Sequence, residues 1–121
     1  MEFGQIENPE NFFHQLGLLH DTRIESFKWV PPERKVLINI DNLNSNFLDL
    51  PEYEGLMPAT LAFINVGKML IGIDPTEEHL NIFELETRSS TTFIKVIINF
   101  SPGGKIEFTC ESIEVHETKS L

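Results

Sequence analysis

The feature that most constrains the fold is a pair of alternating segments near the end of the chain. Residues 91–100 read TTFIKVIINF and residues 105–115 read KIEFTCESIEV. In the second segment Ile106, Phe108 and Cys110 alternate with polar residues, which is typical of a β-strand with one buried face. The linker SPGG contains a proline that fixes one backbone angle and two glycines that permit positive φ. The sequence therefore predicts a β-hairpin at this position.

Further segments with β-branched and aromatic residues predict more strands. The PPER stretch at 31–34 predicts a turn between two of them, and Gly67 predicts a tight turn or a bulged, continuous strand. Seven short strands favour a mainly β fold, an antiparallel sheet or sandwich, with an α+β arrangement as the alternative. The pattern leaves open whether the strands form a sandwich or one curved sheet. The additional strand segments are 23–30, 35–41, 60–66, 68–74 and 80–86.

One short helix is predicted near the N-terminus. Asn8 suits the N-cap, Pro9 suits the first helical position, and Gly17 is placed to end the helix. An apolar stripe at helical spacing lies between these signals, and we expect it to pack on an edge or an open end of the sheet. The stripe consists of Phe12, Phe13 and Leu16.

The length and the charge of the chain narrow the classes of function. With 121 residues, the chain is predicted to form a single domain over residues 1–121. The formal net charge is −10, from 19 acidic and 9 basic residues. Such a charge repels nucleic acid and anionic lipid, so neither is an expected partner. It suits a basic protein partner, although solubility alone also accounts for an acidic composition.

The sequence favours a cytoplasmic protein without a membrane segment. Cys110 is the only cysteine, so no internal disulfide forms, as is usual in a reducing compartment. The N-terminus lacks the pattern of a secretory signal. The most apolar stretch, residues 61–73, is too short to span a membrane and contains Lys68.

The long connection over residues 42–58, NLNSNFLDLPEYEGLMP, is a candidate binding surface. Connections of this length in compact domains often carry function. It contains acidic groups around a tyrosine and no basic residue. The alternative is a cover over one end of the sheet. The candidate binding residues are Asp49, Glu52, Tyr53 and Glu54.

The doublet His20-Asp21 is either a reaction centre or a structural junction. Imidazole and carboxylate groups bind metals and carry protons. Adjacent side chains on an extended chain point to opposite sides, however, which disfavours chelation of one ion. As a junction, Asp21 is predicted to accept the N–H groups of Thr22 and Arg23 in an Asx-type turn. His20 is predicted to donate to a carbonyl at the helix end.

Other catalytic patterns are absent from the sequence, and we expect neither a metal nor a cofactor. The stretch from Asn42 fails as a calcium loop because Phe47 and Tyr53 replace the required glycine and glutamate. Cys110 lies on the apolar side of a strand, where a thiol is an inert core residue. The pairs Glu52/Glu54 and Glu84/Glu86 are expected on solvated faces, each pair on one face.

The stretches LHDTRI, DNLNSNFLDLPEYEG and LAFINVGKMLIGID together resemble small bacterial proteins of unknown function with an N-terminal LHDxRI motif. A looser likeness connects the chain to immunity proteins that neutralise the toxins of competing bacteria. The resemblance covers roughly residues 10–115. It implies a compact β-rich domain and assigns no function to His20 or Asp21, which match the motif.

Three hypotheses of function follow from these observations. The first is a protein without enzymatic activity, such as an immunity or inhibitor protein, that presents the acidic segment and nearby acidic strand faces to a basic partner. The second is a metal-assisted hydrolase that uses His20 and Asp21 with a distant histidine. The third is a small-ligand binder with an opening in its phenylalanine-rich interior. A homodimer is also expected if strand 80–86 or 91–100 lies at a sheet edge.

Overall fold

A computed structural model of the chain describes residues 4–43, 58–74, 76, 80–101 and 103–117. Within these ranges the chain forms nine strands in one antiparallel sheet, one α-helix and two short 3₁₀ turns. The predicted mainly β class is confirmed. The elements are β1 (Gly4–Gln5), α1 (Pro9–Gln15), a 3₁₀ turn (Gly17–Leu19), β2 (Arg23–Val30), a 3₁₀ turn (Pro31–Glu33), β3 (Lys35–Ile40), β4 (Ala59–Ile64), β5 (Leu70–Gly72), β6 (Leu80–Ser89), β7 (Ile94–Ser101), β8 (Lys105–Cys110) and β9 (Ser112–Glu117).

Both predicted hairpins form. The pair β7–β8 aligns Ile98 with Ile106, and both side chains are buried. The pair β2–β3 is joined by the Pro31–Glu33 turn, after which Arg34 adopts a positive φ of 53°. Proline fixes the start of this turn, and the left-handed residue reverses the chain into β3.

The predicted single strand over residues 105–115 is wrong in one respect, because the strand breaks at Glu111. Before the break β8 pairs with β7 and β5, and after it β9 pairs with β4 and β1. The N–H of Glu111 donates to Ile64 O at 2.9 Å, and the N–H of Gly67 donates to Thr109 O at 2.8 Å. Segments 59–72 and 105–117 therefore run side by side as one bent ribbon. Gly67 forms neither a tight turn between paired strands nor a continuous strand, because β4 and β5 pair with β9 and β8 and residues 65–69 lie outside both strands.

The bent ribbon closes the sheet around the core. Hydrogen-bonded pairs lead from β9 through β4, β3, β2, β6 and β7 to β8. Only Glu111 separates β8 from β9, so the pairings return to the strand at which they began. In this series of strands, β2 and β6 share the fewest residue pairs, with Arg23 opposite Asn81 and Ile24 opposite Leu80.

The short helix α1 closes the core beside β6. The Asn8 side chain accepts the N–H of Asn11 at 3.1 Å, and Gly17 has a φ of 64°, so both predicted helix boundaries are confirmed. Phe13 and Leu16 are fully buried in the core. Of the two predicted positions, an edge or an open end of the sheet, the edge is excluded, because β6 lies between β2 and β7. No helix in the described part of the chain is long and apolar enough to cross a membrane.

The strands that the sequence analysis considered as sheet edges are interior strands. The predicted edge segments 80–86 and 91–100 correspond to β6 and β7, each of which has a strand on both sides. The ends of the described sheet are instead β1 and β5. The prediction failed because the alternation that marks a strand does not reveal its neighbours.

Phe63 on β4 and Phe108 on β8 connect the two halves of the sheet, which are the part that contains β4 and β9 and the part that contains β7 and β8. Both side chains are buried, and their rings make an edge-to-face contact at a centroid distance of 4.9 Å. We predict that Phe63→Ala lowers the free energy of unfolding by about 3–5 kcal/mol, because it leaves a cavity between the halves. Urea denaturation monitored by circular dichroism measures this loss.

Phe93→Ala is the matched control, since Phe93 is 44% exposed. We expect it to cost less than about 1 kcal/mol. An equal cost for the two substitutions would contradict the placement of Phe63 at the centre of the core.

Candidate functional site

The junction that contains His20 and Asp21 is a tight turn of unusual backbone conformation. Gly17, Leu18, Leu19 and Asp21 all have φ between 56° and 68°. For leucine this region costs on the order of 1 kcal/mol per residue, so it persists only where the surroundings impose it. Leu19 is completely buried, and this burial offsets the conformational cost.

Two backbone hydrogen bonds fasten the junction to β6. The N–H of Asp21 donates to Ile82 O at 2.8 Å, and the N–H of Ile82 donates to Thr22 O at 2.7 Å. The register of β6 against β7 shifts between Ile82 and Glu84, so β6 bulges where the junction binds. The doublet is thus held by the main chain of a central strand.

The predicted Asx-type turn at Asp21 is wrong. The N–H of Thr22 donates to Leu19 O at 3.0 Å, and the N–H of Arg23 donates to Asp41 Oδ1 at 3.0 Å. The N–H of Asp41 in turn donates to Arg23 O at 3.0 Å. Asp41, which lies directly after β3, therefore supplies the carboxylate that we had assigned to Asp21.

Thr22 connects the junction to the start of the acidic segment. It is 1% exposed, and its hydroxyl donates to Asn42 O at 3.0 Å. The far end of the segment is held nearby, because Ile40 on β3 and Ala59 on β4 are direct partners in the sheet. Both ends of the segment are therefore anchored on neighbouring strands.

The imidazole of His20 bonds to β6, whereas the sequence predicted a bond from it to a carbonyl at the helix end; the backbone N–H of His20 bonds there, to Gly17 O at 3.1 Å. Its Nδ1 lies 2.8 Å from Phe83 O, and Nδ1 must donate because a carbonyl oxygen only accepts. The imidazole packs edge-to-face on the Phe83 ring at 5.4 Å, and Nε2 lies 3.6 Å from Asp21 Oδ2. A metal ion at Nδ1 would have to break the bond to the carbonyl.

The described histidines are not gathered into a metal site. His14 lies on α1, and His116 lies on β9 with its Nε2 at 3.0 Å from Glu114 Oε1. His79 lies outside the described residues. Among the residues that the structure describes, no group of three or more His, Cys, Asp or Glu side chains is placed to hold a metal ion.

Cys110 is a core residue. Its side chain is 1% exposed, at the end of β8. Burial raises the pKa of the Cys110 thiol to about 12, because the surrounding apolar groups do not solvate a thiolate. The thiol therefore stays protonated at neutral pH, and a nucleophilic role has no support.

The acidic residues that the sequence analysis named lie on a strand face and in the long connection. Glu84 and Glu86 share the outer face of β6, as predicted, but basic residues lie among them. Arg88 contacts Glu86 at 3.7 Å, and Lys105 contacts Glu107 at 3.8 Å on the same side of the sheet. This face therefore lacks a concentrated negative charge. The four candidate residues of the long connection, Asp49, Glu52, Tyr53 and Glu54, lie outside the described residues.

A surface that the sequence did not predict lies at β5, the end of the sheet. Leu70 and Ile71 are 51% and 52% exposed, and Trp29 on the tip of β2 is 58% exposed. The sequence predicted a strand over residues 68–74, and the observed strand β5 covers only Leu70–Gly72. A surface cavity of about 410 Å³ lies beside Met69, lined by Trp29, Pro31, Arg34, Val66, Gly67 and Met69.

Comparison with known proteins supports the fold and gives no function. No protein-family model matches the chain, and no curated protein matches its sequence. The crystal structure of an uncharacterized protein from Neisseria gonorrhoeae is similar, with a TM-score of 0.55 and 12% sequence identity. The similarity covers 82% of this chain and 93% of that chain. At this identity the likeness concerns the fold alone.

The buried hydrogen bond of Thr22 gives a test of the junction. We predict that Thr22→Val lowers the free energy of unfolding by about 1–2 kcal/mol, because valine keeps the shape and removes the donor to Asn42 O. Chemical denaturation measures the change. Thr92→Val, at an exposed turn position, is the control and is expected to cost less than about 0.5 kcal/mol. Equal stability of both variants would show that the Thr22 bond does not hold the junction.

Proposed function

We propose that the chain is a protein-binding domain, of the inhibitor or immunity type, that engages a basic protein partner in the cytoplasm through the acidic segment 42–58. One observation carries the proposal. The segment contains Asp49, Glu52 and Glu54 without any basic residue, and both of its ends are anchored on adjacent strands. Anchored ends reduce the ordering entropy that a binding segment must lose.

The distribution of charge supports the choice of this segment over the strand faces. On the outer face of β6–β8, Glu86 and Glu107 each have a basic neighbour within 4 Å. Opposite charges at such short range largely cancel at a distance. Segment 42–58 contains no basic residue of its own, so its carboxylates contribute a field that attracts a basic surface and speeds its approach.

The two other hypotheses have less support. For a metal-assisted hydrolase, the described residues contain no metal-ligating group of three, and the Nδ1 of His20 is already bonded to Phe83 O. For a small-ligand binder, the space between the sheet halves is occupied by the packed rings of Phe63 and Phe108. These observations favour neither the hydrolase nor the small-ligand binder over partner binding.

Charge neutralisation tests the proposal. The full chain is immobilised, basic proteins are captured from a lysate of the source organism at low ionic strength, and the captured protein is purified for binding measurements. We expect the combined variant Asp49→Asn, Glu52→Gln, Glu54→Gln to weaken binding about tenfold, mainly through slower association. Added salt is expected to weaken the binding of the unmodified chain.

The control variant removes the same number of charges elsewhere. Glu84→Gln, Glu86→Gln and Glu107→Gln together leave the segment intact, and we expect their effect on affinity to be several-fold smaller. Equal weakening by both variants would show that total charge, and not the segment, determines binding. Failure to capture any basic protein would count against the proposed function as a whole.

A further inference from the structure

Among the described residues, β5 has a neighbouring strand on one side only. β5 ends the described sheet, with β8 as its hydrogen-bonded neighbour on one side. All three of its residues are exposed, and two of them are the large apolar residues Leu70 and Ile71. Exposed edges usually carry charges or bulges that prevent pairing, because their free N–H and C=O groups accept another strand. We refer to residues 68–74 as the β5 edge.

The β5 edge has opposite charges at its two ends. Lys68 and Asp74 are both exposed, and neither makes an ion pair with a described residue. Asp74 is held in its ionised form by Thr76, whose hydroxyl and N–H donate to Asp74 Oδ1 at 2.7 and 2.9 Å. The hydroxyl bond, followed by the backbone bond, lowers the pKa of Asp74. The Asp74 end therefore attracts a positively charged group, and the Lys68 end attracts a negatively charged group.

We propose that the β5 edge pairs with the β5 edge of a second copy of this chain, in an antiparallel register centred on Ile71. In that register Ile71 faces Ile71 of the second copy, and Lys68 faces Asp74 of the second copy. A two-fold axis repeats the second contact, so two ion pairs form at once. The edge is complementary to itself, and this complementarity identifies the partner as a second copy.

The apolar residues of the edge fit the same register. Met69 comes opposite Ile73 of the second copy, and both are partly buried residues that pack against the core. Ile71 supplies a β-branched pair on the axis, an arrangement that stabilises antiparallel strands. Trp29 lies beside Met69 across the surface cavity and extends the apolar area of the interface.

The dimer is expected to be weak and concentration-dependent. A stable interface buries about 800 Å² from each partner. A three-residue strand and its flanks bury less area than this, so the interface also needs the area around Trp29. The net charge of −10 on each copy opposes association, although salt screens charges beyond about 8 Å at physiological ionic strength. The contact between Lys68 and Asp74 lies well inside that distance. The proposed contacts include no residue of the acidic segment 42–58, so different variants test dimerisation and the proposed function.

A charge exchange between two variants tests the partner and the register together. Lys68→Glu places two like charges opposite each other at both ends, and so does Asp74→Lys. We expect each variant alone to have a dissociation constant at least about tenfold higher than the unmodified chain, measured by sedimentation equilibrium. Mixing the two variants restores opposite charges at every contact, so we expect a heterodimer at the original affinity. Both substitutions are at exposed positions, and thermal unfolding of each variant checks that the fold is intact.

Disulfide trapping gives a second, independent measurement. In the proposed register Ile71→Cys places two thiols directly opposite each other, and we expect an intermolecular disulfide under mild oxidation. Leu70→Cys is the matched control, because Leu70 is equally exposed but would face Gly72 of the second copy. The two copies of position 70 would lie roughly 8 Å apart at Cα, beyond the range of a disulfide. The native Cys110 is buried and does not compete.

These experiments have outcomes that overturn the proposal. A monomer at all accessible concentrations would exclude the dimer. Faster crosslinking of the Leu70→Cys variant than of the Ile71→Cys variant would exclude the register. Failure of the mixed charge variants to associate would exclude the Lys68–Asp74 contact. Loss of partner binding by the segment variants with an intact dimer, or the reverse result, separates this inference from the proposed function.

Discussion

The fold depends on one bent ribbon in which segment 105–117 runs along segment 59–72. The part of the sheet that contains β4 and β9 and the part that contains β7 and β8 cover each other's apolar faces. If the two parts did not share a strand, each part would have an open edge that needs protection. The ribbon removes this need because one strand pairs first with β7 and then, after Glu111, with β4. The contact of Phe63 with Phe108 spans the two halves at the same place. The contacts that close the sheet thus also build the core.

The closed sheet determines where functional residues are available. The junction at His20 and Asp21 is bonded to the main chain of β6, so its unusual backbone serves to bring α1 over the core. The acidic segment departs from β3 and returns at β4, and its first residue is bonded to that junction. Strand β3 pairs with β4 but not with β5, so no described strand lies on the outer side of the β5 edge. The two partner surfaces that we propose lie outside this core: the acidic segment for a basic protein and the β5 edge for a second copy.

Local signals in the sequence predicted the local structure well. The Asn8 cap, the left-handed Gly17 and the hairpin that places Ile98 opposite Ile106 each depend on a few neighbouring residues. The predicted strands mostly match those observed, with errors at their ends. The break at Glu111 was missed although the sequence marks it: the last buried residue of β8 is Cys110, the first of β9 is Ile113, and the polar pair Glu111-Ser112 between them shifts the alternation by one residue.

Predictions that needed knowledge of distant contacts failed. Asp41 accepts the N–H of Arg23 because the β2–β3 hairpin brings them together, and nothing near Asp21 in the sequence indicates this. The carbonyl of Phe83 reaches His20 only because β6 bulges there. Edge strands were misassigned for the same reason, since strand order is a property of the whole chain. The acidic segment was selected from its composition, and its role stays a prediction.

Amide hydrogen exchange at Gly67 and Glu111 tests the closed sheet most directly. Both amides donate across the bend of the ribbon, to Thr109 O and Ile64 O, although neither residue lies within a strand. We predict that native-state exchange at these two amides is slowed as much as exchange in β7, because opening the bend opens the core. Exchange as fast as that of the exposed turn 90–93 would mean that the ribbon does not join the two halves, and would contradict closure of the sheet.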